Sequence, residues 1–138
     1  MAEVRNYDCK RYVLVTHGHE VRGYAEGVHI TVSRDAPTFT KKAGARGDVV
    51  RMRNHNRMGS LKVVLLPTSS SNNVFSTLIV LGENDASAVD DDIGPGLLKD
   101  LNGTTVCAWE AGWFTGPPET EVGDEAPNRE YTLDIAEI

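Results

Sequence analysis

The stretch LKDLNGTT, residues 98–105, decides how this chain is read. Asn102-Gly103 is its strongest turn signal, because Asn and Gly tolerate the positive φ that a two-residue type I′ hairpin requires at both central positions. Such a turn pairs Leu101 with Thr104, Lys99 with Val106 and Leu98 with Cys107. Alternation along the strands then places Leu98, Cys107 and Trp109 on one face and Leu97, Leu101, Val106 and Ala108 on the other. Both faces are apolar. A chain of 138 residues, about two-fifths apolar, can build one core but has difficulty covering both faces of such a hairpin. A second face covered by a neighbouring subunit is therefore expected.

The same alternation extends outward in both directions. Lys10 to Val15 reads as a strand and Val21 to Ala25 as its return, with His17-Gly18-His19 at the turn. Val28, Ile30 and Val32 alternate with His29, Thr31 and Ser33, the pattern of one-sided burial. After Asp35-Ala36-Pro37, Thr38 to Thr40 leads into the basic tip Lys41 to Asp48, and Val49 to Asn54 leads out, so about 28–54 forms a long hairpin. Leu61 to Leu66 is a central strand. A cluster of capping residues, 68–73, precedes Val74, Phe75, Leu78 and Leu81, with Gly82 after them, which predicts one short helix over about 71–81. Residues 83–96 form an acidic loop, Thr115 to Asn128 another, and Tyr131, Leu133 and Ile135 a closing strand. The expected fold is mainly β: two packed antiparallel sheets, as a sandwich or barrel, with one short flanking α-helix, in a single domain over 1–138.

Charge is sorted along the chain. The net charge is -6, yet Met1 to Lys62 holds twelve Lys/Arg against six Asp/Glu, while Val63 to Ile138 holds two against fourteen. If the two signs are not neutralised within one subunit, they make surfaces that attract each other head to tail. Arg51 and Arg53 share a strand face, followed by Arg57 and Lys62, but the few nearby aromatic residues and the acidic total disfavour nucleic acid as their partner. Ion pairing between subunits fits them better. The longest apolar stretches, Val63–Leu66 and Leu78–Leu81, are far short of the roughly twenty residues of a membrane span. The first residues lack the apolar region of a signal peptide, so a cytosolic site of synthesis and use is expected.

Chemical motifs are weak. His17 and His19 have a metal-ligand spacing, but a glycine between them on a tight turn frees the rings from sharing a face, and a catalytic zinc needs a third ligand. Capping a hairpin suits them better. Asp90-Asp91-Asp92 lacks the glycine and the bidentate glutamate of a calcium loop. Arg46-Gly47-Asp48 has no secretory context as an adhesion tripeptide. No phosphate-binding loop, dinucleotide fingerprint or zinc-protease motif is present, and no cysteine or serine has a paired histidine in a local signature, so no catalytic residue, metal or cofactor is expected. Cys107 is expected to be buried opposite Leu98, while Cys9 lies in a polar stretch.

Read together, Arg22-Gly23-Tyr24-Ala25-Glu26-Gly27, Ile30-Thr31-Val32-Ser33-Arg34, Leu65-Leu66-Pro67-Thr68-Ser69-Ser70-Ser71-Asn72 and Leu98 to Thr105 resemble the tail tube proteins of contractile-tailed bacteriophages, from about Tyr12 to the C-terminus. Pro67 departs from the family pattern, which has glutamine before Thr-Ser. The resemblance implies a structural virion protein with no enzymatic role: a hexameric ring stacked into a tube inside a contractile sheath, through which DNA passes without specific binding. It implies edge-to-edge joining of sheets between subunits. Its partners would be further copies of itself and the sheath, tape measure, baseplate and neck proteins, in a tail assembled in the host cytoplasm. By the same resemblance, Lys41, Lys42, Arg46 and Asp48 at the hairpin tip would reach the next ring and meet acid from Asp90, Asp91 and Asp92 or from the Glu119–Glu125 loop. Arg51, Arg53 and Arg57 would pair with carboxylates between subunits, leaving an acidic or neutral bore along which DNA can slide. Cys9 is the candidate for an intersubunit disulfide once a virion has left the reducing cytosol. A secretion-system tube protein and a monomeric β-barrel that binds a ligand are the alternatives.

Overall fold

A computed structural model describes residues 2–84 and 92–138. After a single 3-10 turn at Cys9–Arg11, strand β1 (Tyr12–Thr16) turns back tightly into β2 (His19–Glu20). His17 and Gly18, at the tip, have φ of 54° and 77°, the left-handed values a two-residue hairpin needs. The remaining elements are β3 (Ile30–Arg34), β4 (Phe39–Ala43), β5 (Val49–Arg53), β6 (Gly59–Leu65), α1 (Ser71–Asn84), β7 (Gly94–Asp100), β8 (Thr105–Phe114) and β9 (Arg129–Ile135). They form two antiparallel sheets, one of seven strands in the order β2-β1-β7-β8-β9-β6-β3 and one of two strands, β4-β5, flanked by one helix. The fold class is the one expected.

The large sheet is tied at both ends by one piece of chain. Val21 still pairs with β1, its N–H donating to the Leu14 carbonyl at 2.9 Å. At Gly23, φ 75°, the chain swings away, and a side chain there would meet Ser69 at 2.6 Å. It then joins β6: Leu66 N–H donates to the Gly23 carbonyl at 2.9 Å and Ala25 N–H to the Val64 carbonyl at 3.0 Å, after which β3 pairs with β6 from Ile30 opposite Val63 to Arg34 opposite Gly59. The segment from His19 to Arg34 thus bonds first to β1 and then to β6, so the sheet curls onto itself. The sequence reading took Val21 to Ala25 as a simple return strand; only its first residue pairs that way.

Strand β8 serves both halves of the curl. Thr105–Trp109 pairs with β7 alone, while Gly112–Phe114 pairs with β9. One core results, with Leu14, Leu98, Cys107 and Trp109 from one half and Leu61, Val63, Leu65, Tyr131, Leu133 and Ile135 from the other. Helix α1 closes it. Phe75 is fully buried, edge-on to Tyr131 with centroids 5.0 Å apart and tilted against Phe114 at 4.7 Å. The helix is set by polar residues: Ser69 accepts from Ser71 N–H at 3.2 Å and donates to the Arg22 carbonyl, and the Asn72 amide donates to the carbonyls of Leu66 and Pro67 at 2.9 and 3.2 Å. Pro67 therefore leaves the entry into the helix intact.

Several boundaries differ from the sequence reading: of the acidic loop expected over 83–96, Glu83 and Asn84 belong to α1 and Gly94 to Gly96 open β7. The helix does not stop at Gly82 but runs to Asn84, because Gly82 serves close packing: a Cβ there would meet the Asp92 carboxylate at 2.5 Å. At the 98–105 hairpin, Leu98 pairs with Cys107 as expected, but the register slips and Lys99 faces Thr105, leaving Val106 as a bulge. The cause is local. Asp100 Oδ1 accepts from Asn102 N–H at 3.0 Å, the Arg11 carbonyl takes Leu101 N–H at 2.7 Å, and the turn closes by Gly103 N–H to the Asp100 carbonyl at 2.9 Å, with Gly103 at φ 104°. This is a three-residue loop with a left-handed glycine.

Candidate assembly surface

The β4-β5 ladder continues the β3-β6 hairpin with the register shifted by one residue: Arg34 pairs with Gly59 in one, and Phe39 with Arg53 in the other. The break spans Asp35–Thr38 and Asn54–Met58. Pro37 has no N–H to give a ladder, and Asn54 and Asn56 side chains turn the return path by accepting from Asn56 N–H at 2.9 Å and Met58 N–H at 3.0 Å. Beyond the break the two strands form an arm, every residue of which is exposed. Two strands alone are marginal in water.

Register sorts the arm into two faces, because residues directly opposite each other in an antiparallel pair point the same way. Phe39 with Arg53, Lys41 with Arg51 and Ala43 with Val49 form one face; Thr40 with Met52 and Lys42 with Val50 form the other. On the first face the Arg51 guanidinium lies over the Phe39 ring at 4.3 Å from its centroid, with Arg53 at 5.6 Å. Among the described residues, no carboxylate forms a salt bridge with Lys41, Lys42, Arg46, Arg51 or Arg53. The alternation sets Val50 and Met52 opposite Arg51 and Arg53, as the register confirms, whereas Phe39, the aromatic residue that organises the cationic face, has no signal of its own in the sequence.

The other sequence candidates lie elsewhere. Asp48 is exposed at the end of the tip and its carbonyl accepts from Gly44 N–H at 2.7 Å. Arg57, past the arm, reaches Glu137 of its own chain at 3.4 Å, an exposed pair that contributes little. Asp90 and Asp91 lie outside the described residues. Asp92 is held by its backbone, its carbonyl 2.7 Å from His17 Nε2, while Thr16 Oγ1 lies 2.8 Å from His17 Nδ1. His19 Nε2 sits 3.0 Å from Ser71 Oγ. The two histidines thus fasten the hairpin to different parts of the core, and no metal-binding group of side chains occurs among the described residues. Cys107 is buried opposite Leu98, and burial pushes its thiol pKa up. Cys9 is exposed and unpaired in the chain, beside Tyr12 and His29 where two shallow depressions of about 490 and 530 Å³ meet.

Strand edges are open as well. β3 ends the large sheet, and the Thr105–Trp109 part of β8 is bonded on the β7 side only. Val106 and Leu101, in the β7-β8 hairpin, stand 51% and 62% exposed, although the bulge at Val106 breaks the face on which the sequence reading places them together. A depression of about 320 Å³ is lined by Glu119, Glu121, Asn128 and Glu130, with Lys62 reaching Glu130 at 3.2 Å.

The fold resembles that of solved proteins. The anti-feeding prophage cap, a tube-terminating cap, matches at a TM-score of 0.59 with 10% identity, over 99% of this chain and 91% of that one. The sheath/tube terminator of an extracellular contractile injection system, in its extended state, matches at 0.58 with 10% identity, over 97% of this chain and 95% of that one. The fold is shared. No protein-family model matches the sequence. No curated protein matches it either. No described helix is long and apolar enough to cross a membrane.

One titration probes how firmly the closing segment is seated. Burial pushes the Tyr24 phenol up to about 12, with the Leu14 backbone opposing and the Glu20 carboxylate adding to the shift. Its folded pKa exceeds the ordinary value near 10, so the contribution of the neutral phenol is complete below pH 10 and is lost as pH rises through 12. Relative to the wild type, Tyr24→Phe should gain thermal stability between pH 10 and 12 and show a constant offset below pH 10. A constant offset throughout would mean that Tyr24 is solvated.

Proposed function

We propose that this chain is a structural subunit of a contractile tail-type assembly, forming rings that stack into the tube inside a sheath. The observation that carries the reading is the arm: a two-stranded projection whose two faces, one with Lys41, Arg51 and Arg53 and the other with Lys42, Val50 and Met52, both stand exposed. Open edges on β3 and β8 favour sheet joining between neighbours, and the full-length fold match to components of contractile injection systems agrees with it. In this reading Lys41, Lys42, Arg46, Arg51 and Arg53 make contacts between copies, the tube subunit is a hexamer, and DNA moves through an unbinding bore. The sheath, tape measure, baseplate and neck proteins are its neighbours in the virion tail, and Cys9 is placed for a crosslink between subunits.

A second reading has a specific observation behind it. Both solved structures described above are terminators, so the chain is alternatively the last ring of a tube. Negative-stain microscopy of the concentrated full chain separates the two. Stacks of many rings are expected for a tube subunit and single or paired rings for a terminator. Monomers at every concentration would refute both.

A further inference from the structure

We infer that the arm of a subunit not yet assembled holds the phosphate backbone of a nucleic-acid duplex, with Lys41, Arg51 and Arg53 as the phosphate contacts. The inference goes beyond the assembly reading, since it concerns the state in which no second copy covers the arm.

The total charge opposes such a partner, but the total is not what the arm presents. Residues 39–53 hold five Lys/Arg and one Asp, a balance of +4, so the rest of the chain carries -10. The two signs are kept apart. The arm leaves the body at the Gly59 end of β6, where Gly59 faces Arg34, while Glu119, Glu121 and Glu130 gather towards the other end, where Val64 faces Glu130. β6 has seven residues, so its ends are roughly 20 Å apart, more than twice the screening length of about 8 Å at physiological salt. Near the base of the arm, Asp35, Asp134 and Glu137 are largely offset by Arg34 and Arg57, the latter bonded to Glu137 at 3.4 Å. A polyanion approaching the arm therefore meets its local positive charge and not the acidic total.

The shape of the ribbon suits a duplex. Two antiparallel strands fit a major groove, which is about 12 Å wide. Arg51 and Arg53 alternate along β5 and point to one side roughly 7 Å apart, a rise of two phosphate steps along one strand of a duplex. Lys41 stands directly opposite Arg51, and like charges so placed weaken a ladder unless an anion offsets them. The Phe39 ring, 4.3 Å from the Arg51 guanidinium, fixes one side of that planar fork, whose N–H groups suit phosphate oxygens. This stacked ring is the aromatic component whose scarcity in the sequence counts against nucleic acid. Phosphate contacts carry no sequence information, so the binding is non-specific. Once copies stack, the same side chains are engaged between subunits, which leaves the bore unbinding and makes nucleic acid a competitor of assembly.

The test is fluorescence anisotropy of a labelled DNA duplex of about 20 base pairs titrated with the full chain, with circular dichroism to verify folding and sedimentation velocity to follow association with and without the duplex. Three phosphate contacts predict an affinity that falls about 40-fold between about 50 and 200 mM salt. The variant carrying Lys41→Gln, Arg51→Gln and Arg53→Gln should bind at least about tenfold more weakly at the lower salt, and Arg51→Gln alone should reduce the salt slope by about one. A variant with the same loss of charge at exposed positions of the body, Arg5→Gln, Lys10→Gln and Lys99→Gln, should stay within about twofold of the wild type. Saturating duplex should raise the protein concentration at which the wild type associates. Absence of binding at the lower salt, equal weakening by the two triple variants, tighter binding of a single strand of the same length, or association indifferent to duplex overturns the inference. Each of these leaves the assembly reading standing, which fails only if the wild type without DNA never associates.

Discussion

Phe75→Ala should destabilise the fold by about 3–5 kcal/mol, the range for deleting a large aromatic side chain from a closed core. Phe75 is fully buried, and its ring is the meeting point of Phe114, Tyr131 and the edge of His19. Removing it opens a cavity between the helix and the sheet and detaches the main anchor of α1, since Ile79 is the other buried apolar residue of that helix. Domains of this size have about 5–15 kcal/mol of net stability, so a loss of that order consumes a large share of it. Urea denaturation should show the midpoint falling by roughly 2 M if the slope is near 2 kcal/mol per M. A fall worth less than about 1 kcal/mol would mean that the helix is not seated as described.

Gly96→Val should be nearly as damaging, for the opposite reason. Gly96 lies under the Trp109 indole: a Cβ would meet Cζ2 at 2.4 Å and the Val15 carbonyl at 2.7 Å. Neither can retreat cheaply. Trp109 is buried, and Val15 is fixed by its ladder to β7, where it faces Leu97. Overfilling such a site typically costs about 1–3 kcal/mol, and the backbone contact places this case at or above the upper end. The expected signature is a lower denaturation midpoint with red-shifted tryptophan emission in the folded state, as the indole is displaced towards water. An unchanged spectrum and midpoint would show that the ring does not lie across Gly96.

What the sequence disclosed was the local grammar. Alternation in Ile30–Arg34 and Arg129–Ile135, the apolar run from Leu61 in β6, the turns at His17-Gly18 and Asn102-Gly103, and the Ser/Asn run before α1 each act through neighbours a few residues apart. What it concealed depends on distant partners. Gly82 looks like a helix stop, yet what it accommodates is the side chain of Asp92. The register slip at Val106 depends on the Arg11 carbonyl, far back in the chain, and on the Asp100 side chain. That Val21 to Ala25 changes partner strand could not be read from its composition, because both pairings need the same kind of residue. For the assembly surface, the cations were visible as a cluster and their separation from the acids as a trend. Their arrangement on one side of a ladder, stacked on Phe39, required the register.

The placement of β1 has a bearing on biosynthesis. Within this chain β1 precedes β7, so in the finished sheet Val13 must wait for Lys99. The β3-β6 hairpin and its arm need only residues made close together in time, so they can form while the rest of the polypeptide is still being synthesised. Glu119, Glu121 and Glu130, which line the acidic depression, are synthesised after the arm.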